Sequence, residues 1–229
     1  MFNNIEIVVA RYNEDLNWTK EYPFNQFKYT IYNKGTNMDF AMPPLYRDKI
    51  IHLPNVGRCD HTYLYHIVSN YTQLAPITIF LPGSTQLHYK KTVATKLINY
   101  ILSSKNAVFL GHKTVNLKKC FASFSLDKWS ASDPTNLKNN NEANLEHAFL
   151  RPYGKWYTHF FGNTVVQKYC YMSIFSIRRL DIIKHNINRY QELLNAVSRH
   201  SNPEVGHYIE RSWGAIFHPL IATKFIAYN

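Results

Sequence analysis

Ile5 to Ala10 (IEIVVA) and Ile77 to Leu81 (ITIFL) are short, almost unbroken apolar runs, each ended abruptly by polar or Pro-Gly residues. Runs of this length and β-branched content read as strands buried on both faces rather than as amphipathic edge strands. Phe27 to Tyr32 reads as a further strand, Ile50 to Leu53 as a short third one, and Ala107 to Leu110 as another. Between them, Asp60 to Tyr71 and Thr92 to Leu102 carry helical spacing, with Tyr63, Leu64, Ile67 and Val68 on one apolar face. A short helix is expected around Asn13 to Trp18, and Asp39 to Arg47, with Pro43-Pro44, is expected to be irregular. Strand and helix alternating at these intervals predict an α/β chain with a mostly parallel central sheet flanked by helices. Tyr171 to Ile177 restores a strand pattern, Arg179 to Val197 is the longest helix candidate, and a last helix begins at Asn202-Pro203-Glu204. Ser130 to Asn144 has little periodicity and reads as a loop or lid.

A chain of 229 residues with 45% apolar content fits one domain over 1–229, with a ligand-binding half at about 1–111 and a second half at about 112–229. Its formal charge is +11, from 26 Lys and Arg against 15 Asp and Glu, which favours anionic partners such as phosphates, nucleic acid or phosphorylated small molecules. The basic residues are dispersed, so charge alone does not choose among them. Cys59, Cys120 and Cys170 are too widely spaced for a zinc or redox motif and read as free, buried thiols. No apolar run is long enough to span a bilayer. The first residues lack the basic and apolar regions of a secretory signal, so the expected location is cytoplasmic. The Asn-, Lys- and Tyr-rich composition is compatible with an AT-rich genome such as a viral one.

In an open parallel sheet, ligands gather beyond the C-terminal ends of the strands. Polar breaks fall there at Arg11 to Asp15, Asn33 to Asn37 and Pro82 to Thr85. Asn55-Val56-Gly57-Arg58 follows the third strand and precedes a helix; it offers a glycine for close approach, helix-start amides and an Arg fork suited to phosphate. Phosphate binding and an ordinary ion pair both remain open for Arg58. No GxGxxG run, Walker loop or GxSxG elbow occurs, which disfavours dinucleotide oxidoreductases, P-loop ATPases and serine hydrolases of the usual type. His61 and His66 are five apart, which is not a helical metal-ligand spacing. Glu204, His207, Tyr208 and Arg211 share a face of the last helix if it starts near Glu204, and Glu210 lies beside them. A carboxylate there could serve as a general base. Equally, Glu204 could be a first-turn acid, Glu210 and Arg211 surface charges, and Trp213 core.

The segments Val8 to Trp18 (VVARYNEDLNW), Ile31 to Gly35, Leu53 to Arg58, His61 to Ile67, Thr78 to Gly83 and Gly206 to Trp213 resemble, in order, an uncharacterised family that opens with VVARYNEDLxW. The opening is also similar to the first strand and loop of nucleotide-sugar glycosyltransferases with a single Rossmann-like GT-A-type domain, as in algal and giant-virus enzymes. That resemblance implies sugar transfer from a nucleoside-diphosphate sugar to a glycan or glycoprotein acceptor. It implies donor contacts at Ala10, Arg11, Tyr12 and Glu14, and a base or ribose contact at Asn33 or Lys34. It implies acceptor-side residues at His207, Arg211 and Trp213, with Glu210 the first candidate for general base and Glu204 the second. Asp133 and Glu142 are further candidates, and a single base would favour inversion of configuration. Such enzymes hold Mn or Mg with an Asp-x-Asp motif at a later strand end, where this chain has Pro82-Gly83-Ser84 and no carboxylate. Either fixed cations, with Arg58, Lys90 and Arg211 as candidates, replace the metal, or transfer has been lost. Two other readings stay open: a non-catalytic carbohydrate- or nucleotide-binding domain, and a basic nucleic-acid-binding protein, the latter without a recognised motif to support it.

Overall fold

The computed structural model describes residues 4–40, 46–129 and 145–228, with backbone only at 46–49. Asp133, Glu142 and the rest of the expected loop over 130–144 lie outside the described residues, as does Pro43-Pro44. Strand β1 (Ile5–Arg11) is buried at every position and lies between β2 (Lys28–Asn33) and β4 (Ile77–Pro82), parallel to both. Its side chains alternate between two cores. Val8 and Ala10 face one, with helix α1 (Arg58–Ser69) and the helices Tyr153–Phe161 and Glu204–Ile216. Ile5, Ile7 and Val9 face the other, under helix α2 (His88–Ser104). Helix α2 buries Ala94, Leu97, Ile98 and Ile101, the stripe expected of a helix that covers one sheet face.

The single, mostly parallel sheet of a Rossmann-like GT-A-type domain does not form. There are two sheets, and both are mixed. One has five strands in the order β3-β2-β1-β4-β7, with β3 (Tyr46–His52) parallel to β2 and β7 (Phe175–Arg178) antiparallel to β4. The other has three, β6-β5-β8: β5 (Val108–Lys113) pairs antiparallel with β6 (Lys168–Tyr169) and parallel with β8 (Lys224–Ala227). The division has a local cause at Ser176. Its hydroxyl accepts from the Val108 amide and donates to the Val108 carbonyl, both at 2.8 Å, so a side chain occupies the place where β7 and β5 would exchange ladder bonds.

Other departures are smaller. The segment after β1 forms a short 3-10 turn at Asn17–Lys20. The long helix expected over Arg179–Val197 is broken into Arg179–Ile183 and Ile187–Ala196, because the Asn186 side chain caps the second piece by accepting from the Asn188 amide. The strand expected from Tyr171 starts only at Phe175, after left-handed backbone at Met172 and Ser173. Of the three thiols only Cys170 is fully buried; Cys59 is half-buried and Cys120 exposed. Among the described residues no helix is long and apolar enough to cross a membrane.

Candidate functional site

The chain moves outward from β1 to β2 and β3, then returns to the other side of β1 for β4. The switch point therefore lies between the C-terminal ends of β1 and β4, where the connections of the two neighbouring strands run in opposite directions, the place where sheets of this kind gather ligands. Arg11, at the end of β1, is 1% exposed and ties the surrounding loops together. It donates to the carbonyls of Glu14 (2.7 Å) and Asn37 (2.8 Å) and to Asn33 Oδ1 (2.6 Å), with its guanidinium 3.6 Å over Phe40. A Cβ on Gly35 would stand 1.7 Å from the Tyr12 carbonyl oxygen, so only glycine lets the β2 loop rest on the β1 loop. Lys34 is buried, and its ammonium donates to the carbonyls of Val56 and Arg58. Burial lowers that amine to about 7. Arg11, Asn33 and Lys34 thus lie buried at the ends of β1 and β2, with Ala10 also buried in β1 and Asn55 exposed.

At the switch point, Glu14 accepts from the Tyr12 amide at 2.7 Å, and a Cβ on Gly83 would lie 2.7 Å from the same carboxylate oxygen. Trp18 Nε1 donates to the Gly83 carbonyl at 3.1 Å and fixes the Pro82-Gly83-Ser84 turn. Lys90, from the first turn of α2, reaches back and donates to Ser84 Oγ at 2.7 Å. Burial pushes its amine down, while Cys59, Glu14 and Glu210 oppose that and Arg58 adds to it. A cation thus stands at the end of β4, among carboxylates drawn from two separate parts of the chain.

The opposite wall is made by the start of α1 and by the helix Glu204–Ile216. Gly57 and Arg58 both adopt left-handed φ values, +57° and +52°. A Cβ on Gly57 would meet the Val197 carbonyl oxygen at 2.3 Å, so this entry to α1 requires glycine. Arg58 Nη1 approaches Asn202 Oδ1 at 3.3 Å and His207 Nε2 at 3.4 Å, and its guanidinium lies 3.7 Å over Trp129. Burial, then Arg58 and Arg211, hold the His207 imidazole down to about 3, so it is neutral at neutral pH. Trp213 is core: it donates from Nε1 to Asp60 Oδ1 at 3.0 Å and stacks on Phe217.

The two acids proposed as bases occupy different environments. Glu204 is fully buried and accepts from the amides of Leu126 (2.8 Å) and Ala148 (2.9 Å) and from the Tyr208 hydroxyl (2.7 Å), with Arg151 Nε at 3.1 Å. Its oxygens are engaged in joining three chain segments. Glu210 keeps 23% of its side chain exposed and, among the described residues, accepts from the Met172 amide at 2.8 Å, with Arg211 Nη1 at a loose 3.8 Å. Met172 and Ser173 are both left-handed (φ 66° and 55°), a strained arrangement beside this acid. Nothing in the sequence signals that strain.

Asp60, which reads in sequence as an ordinary first-turn acid, lies beneath Trp213 at 3% exposure. Burial first, and Glu210 second, push its carboxyl up to about 8. The folded state thus holds a proton on Asp60 that the unfolded chain releases near pH 4, so its contribution to stability is present in acid and is lost as pH rises through 8. Asp60→Asn removes this titration. The melting temperature of the wild type relative to Asp60→Asn is expected to fall steadily between pH 5 and pH 9, measured by differential scanning fluorimetry; a constant difference would contradict the assignment. Using the same variant pair cancels the opposite slope of His61, lowered to about 4.

Among the described residues no group of three His, Cys, Asp or Glu side chains is placed to hold a metal ion. The model of the family described as protein of unknown function (DUF3431) matches residues 7–223, and the chain belongs to that family. No curated protein and no solved structure matches it significantly.

Proposed function

We propose that this chain binds a nucleoside-diphosphate sugar at the switch point between the C-terminal ends of β1 and β4 and transfers the sugar to an acceptor hydroxyl, using fixed cations where related chemistries use a metal. The observation that carries the reading is Lys90 held on Ser84 at the C-terminal end of β4, at the switch point of the parallel strands. In this position an ammonium faces the charge that develops on a departing diphosphate, and its burial strengthens that interaction over its value in water. Arg58, fixed over Trp129, supplies a second cation from the opposite wall.

The reaction is a displacement at the anomeric carbon. The acceptor oxygen forms the new C–O bond, and the bond from the anomeric carbon to the β-phosphate oxygen breaks. The nucleoside diphosphate leaves with the electron pair, and the acceptor proton passes to Glu210. Glu210 suits that role better than Glu204, because it is part-exposed and, among the described residues, one of its oxygens makes no short hydrogen bond. The three free thiols and the absence of a spanning helix among the described residues fit a cytoplasmic location.

The test is release of nucleoside diphosphate from a panel of UDP- and GDP-sugars, read by mass spectrometry with chelator present. Turnover of one donor class is expected, with loss of about tenfold or more on Lys90→Met. Selective binding without turnover of any donor would instead favour a non-catalytic binding domain. Salt-sensitive binding of RNA or DNA with no response to nucleotide sugars would favour a nucleic-acid-binding role.

A further inference from the structure

The Arg211 guanidinium is held in place but only partly used. Its side chain is 15% exposed. Nη1 donates to the His207 carbonyl of its own helix at 2.8 Å, and the guanidinium carbon lies 3.9 Å over Phe124. Tyr171 and Phe121 stand farther off, at 5.4 and 5.6 Å. These contacts fix the plane of the group. The edge formed by Nε and Nη2 is another matter: among the described residues neither atom donates a hydrogen bond, and Nε is buried. Leaving a buried donor of a charged group unmatched is costly, so Arg211 Nε, like Nε of Arg178, Arg179 and Arg189, calls for a partner such as an ordered water or a ligand. The Nε–Nη2 edge presents two parallel N–H bonds, the geometry that grips both oxygens of a carboxylate or two oxygens of a phosphate.

We propose that Arg211 recognises an anionic group on the acceptor, so that the acceptor is a hydroxylated molecule, of the sugar-acid or sugar-phosphate class, carrying a carboxylate or a phosphate. Its place on the chain supports this. Arg211 Nη1 stands 3.8 Å from Glu210 Oε2, so an anion in its fork brings the attached hydroxyls toward the proposed base. Phe121, Phe124 and Tyr171, all part-buried, shield one face of the guanidinium from water and leave its edge as the binding element. The term acceptor rests on the transferase reading; the anion site itself does not.

The experiment is calorimetric titration of glucuronate, glucose 6-phosphate, inorganic phosphate and uncharged glucose into the wild type, Arg211→Lys and Arg211→Gln, with UDP and GDP titrated in parallel. Lysine keeps the charge and loses the fork, so a purely electrostatic role would survive it. Glutamine can still donate to the His207 carbonyl, which guards against a merely structural loss. At least one anionic sugar is expected to bind the wild type, and glucose is not. Both variants are expected to weaken that binding about tenfold or more while leaving the nucleotide response intact. The carboxylate and phosphate arms identify which anion fits. Equal binding of glucose, no binding of any anion, or unchanged affinity in Arg211→Lys would overturn the proposal. Anionic-sugar binding that depends on Arg211, with no nucleotide response, would support the anion site and count against the transferase reading.

Discussion

Glu204→Ala is expected to destabilise the protein by about 3–5 kcal/mol, the largest effect on stability of any substitution considered for this site. The carboxylate is fully buried and accepts from two backbone amides, Leu126 and Ala148, and from Tyr208. Truncation leaves those donors unmatched away from water, at about 1–3 kcal/mol for each one that cannot find another partner. The exposed side of the interaction, Arg151 to Asp127, adds little to this. For a chain of this length the loss corresponds to a fall of about 10 °C in melting temperature. Glu204→Gln, which keeps one acceptor oxygen, is expected to fall between the two. Denaturant titration of the three proteins measures this directly; a loss below about 1 kcal/mol in the alanine variant would show that the carboxylate does not join these segments. The consequence for the site is indirect but physical. Leu126 lies between Phe124, on which Arg211 stacks, and Trp129, on which Arg58 stacks, so releasing it loosens both cation platforms.

Glu210→Gln is expected to have the largest effect on turnover. A positioned general base contributes about 10²–10⁴ in rate, and the amide cannot accept the acceptor proton. Its carbonyl oxygen can still accept from the Met172 amide, so the left-handed Met172–Ser173 turn and the fold around it should persist. Steady-state transfer should therefore drop by about 10² or more, with nucleoside diphosphate affinity within about twofold of wild type. Parallel loss of affinity and rate would point to a structural role, and unchanged rate would remove Glu210 as the base.

What could be read from sequence follows the range of the interactions involved. β1 and β4 are legible because burial on both faces demands continuous apolar residues, and α2 because one covered face demands its 94, 97, 98, 101 stripe. The polar breaks at the strand ends follow from the same pattern, but the contacts made there are not visible in it. Arg11 and Lys34 carry the charge of ligand contacts, yet the structure uses their donors to bind neighbouring carbonyls. That depends on which loops meet in three dimensions. The separation of the small sheet turns on the Ser176 hydroxyl meeting Val108, a contact between residues with no local signal. The strand Lys224–Ala227 is equally silent, since four residues are too few to show a period. Asp60 looked like a helix-start acid because its burial comes from Trp213, far along the chain.

The proposed role of Lys90, to stabilise a nucleoside diphosphate without a metal, can be checked by calorimetric titration of UDP and GDP into the wild type and Lys90→Met, each with chelator and again with Mn or Mg. Selective binding of one nucleoside diphosphate in chelator is expected, weakened about tenfold or more by Lys90→Met and little changed by the metal. Binding that requires the metal and is indifferent to Lys90, or no selective binding at all, would contradict it.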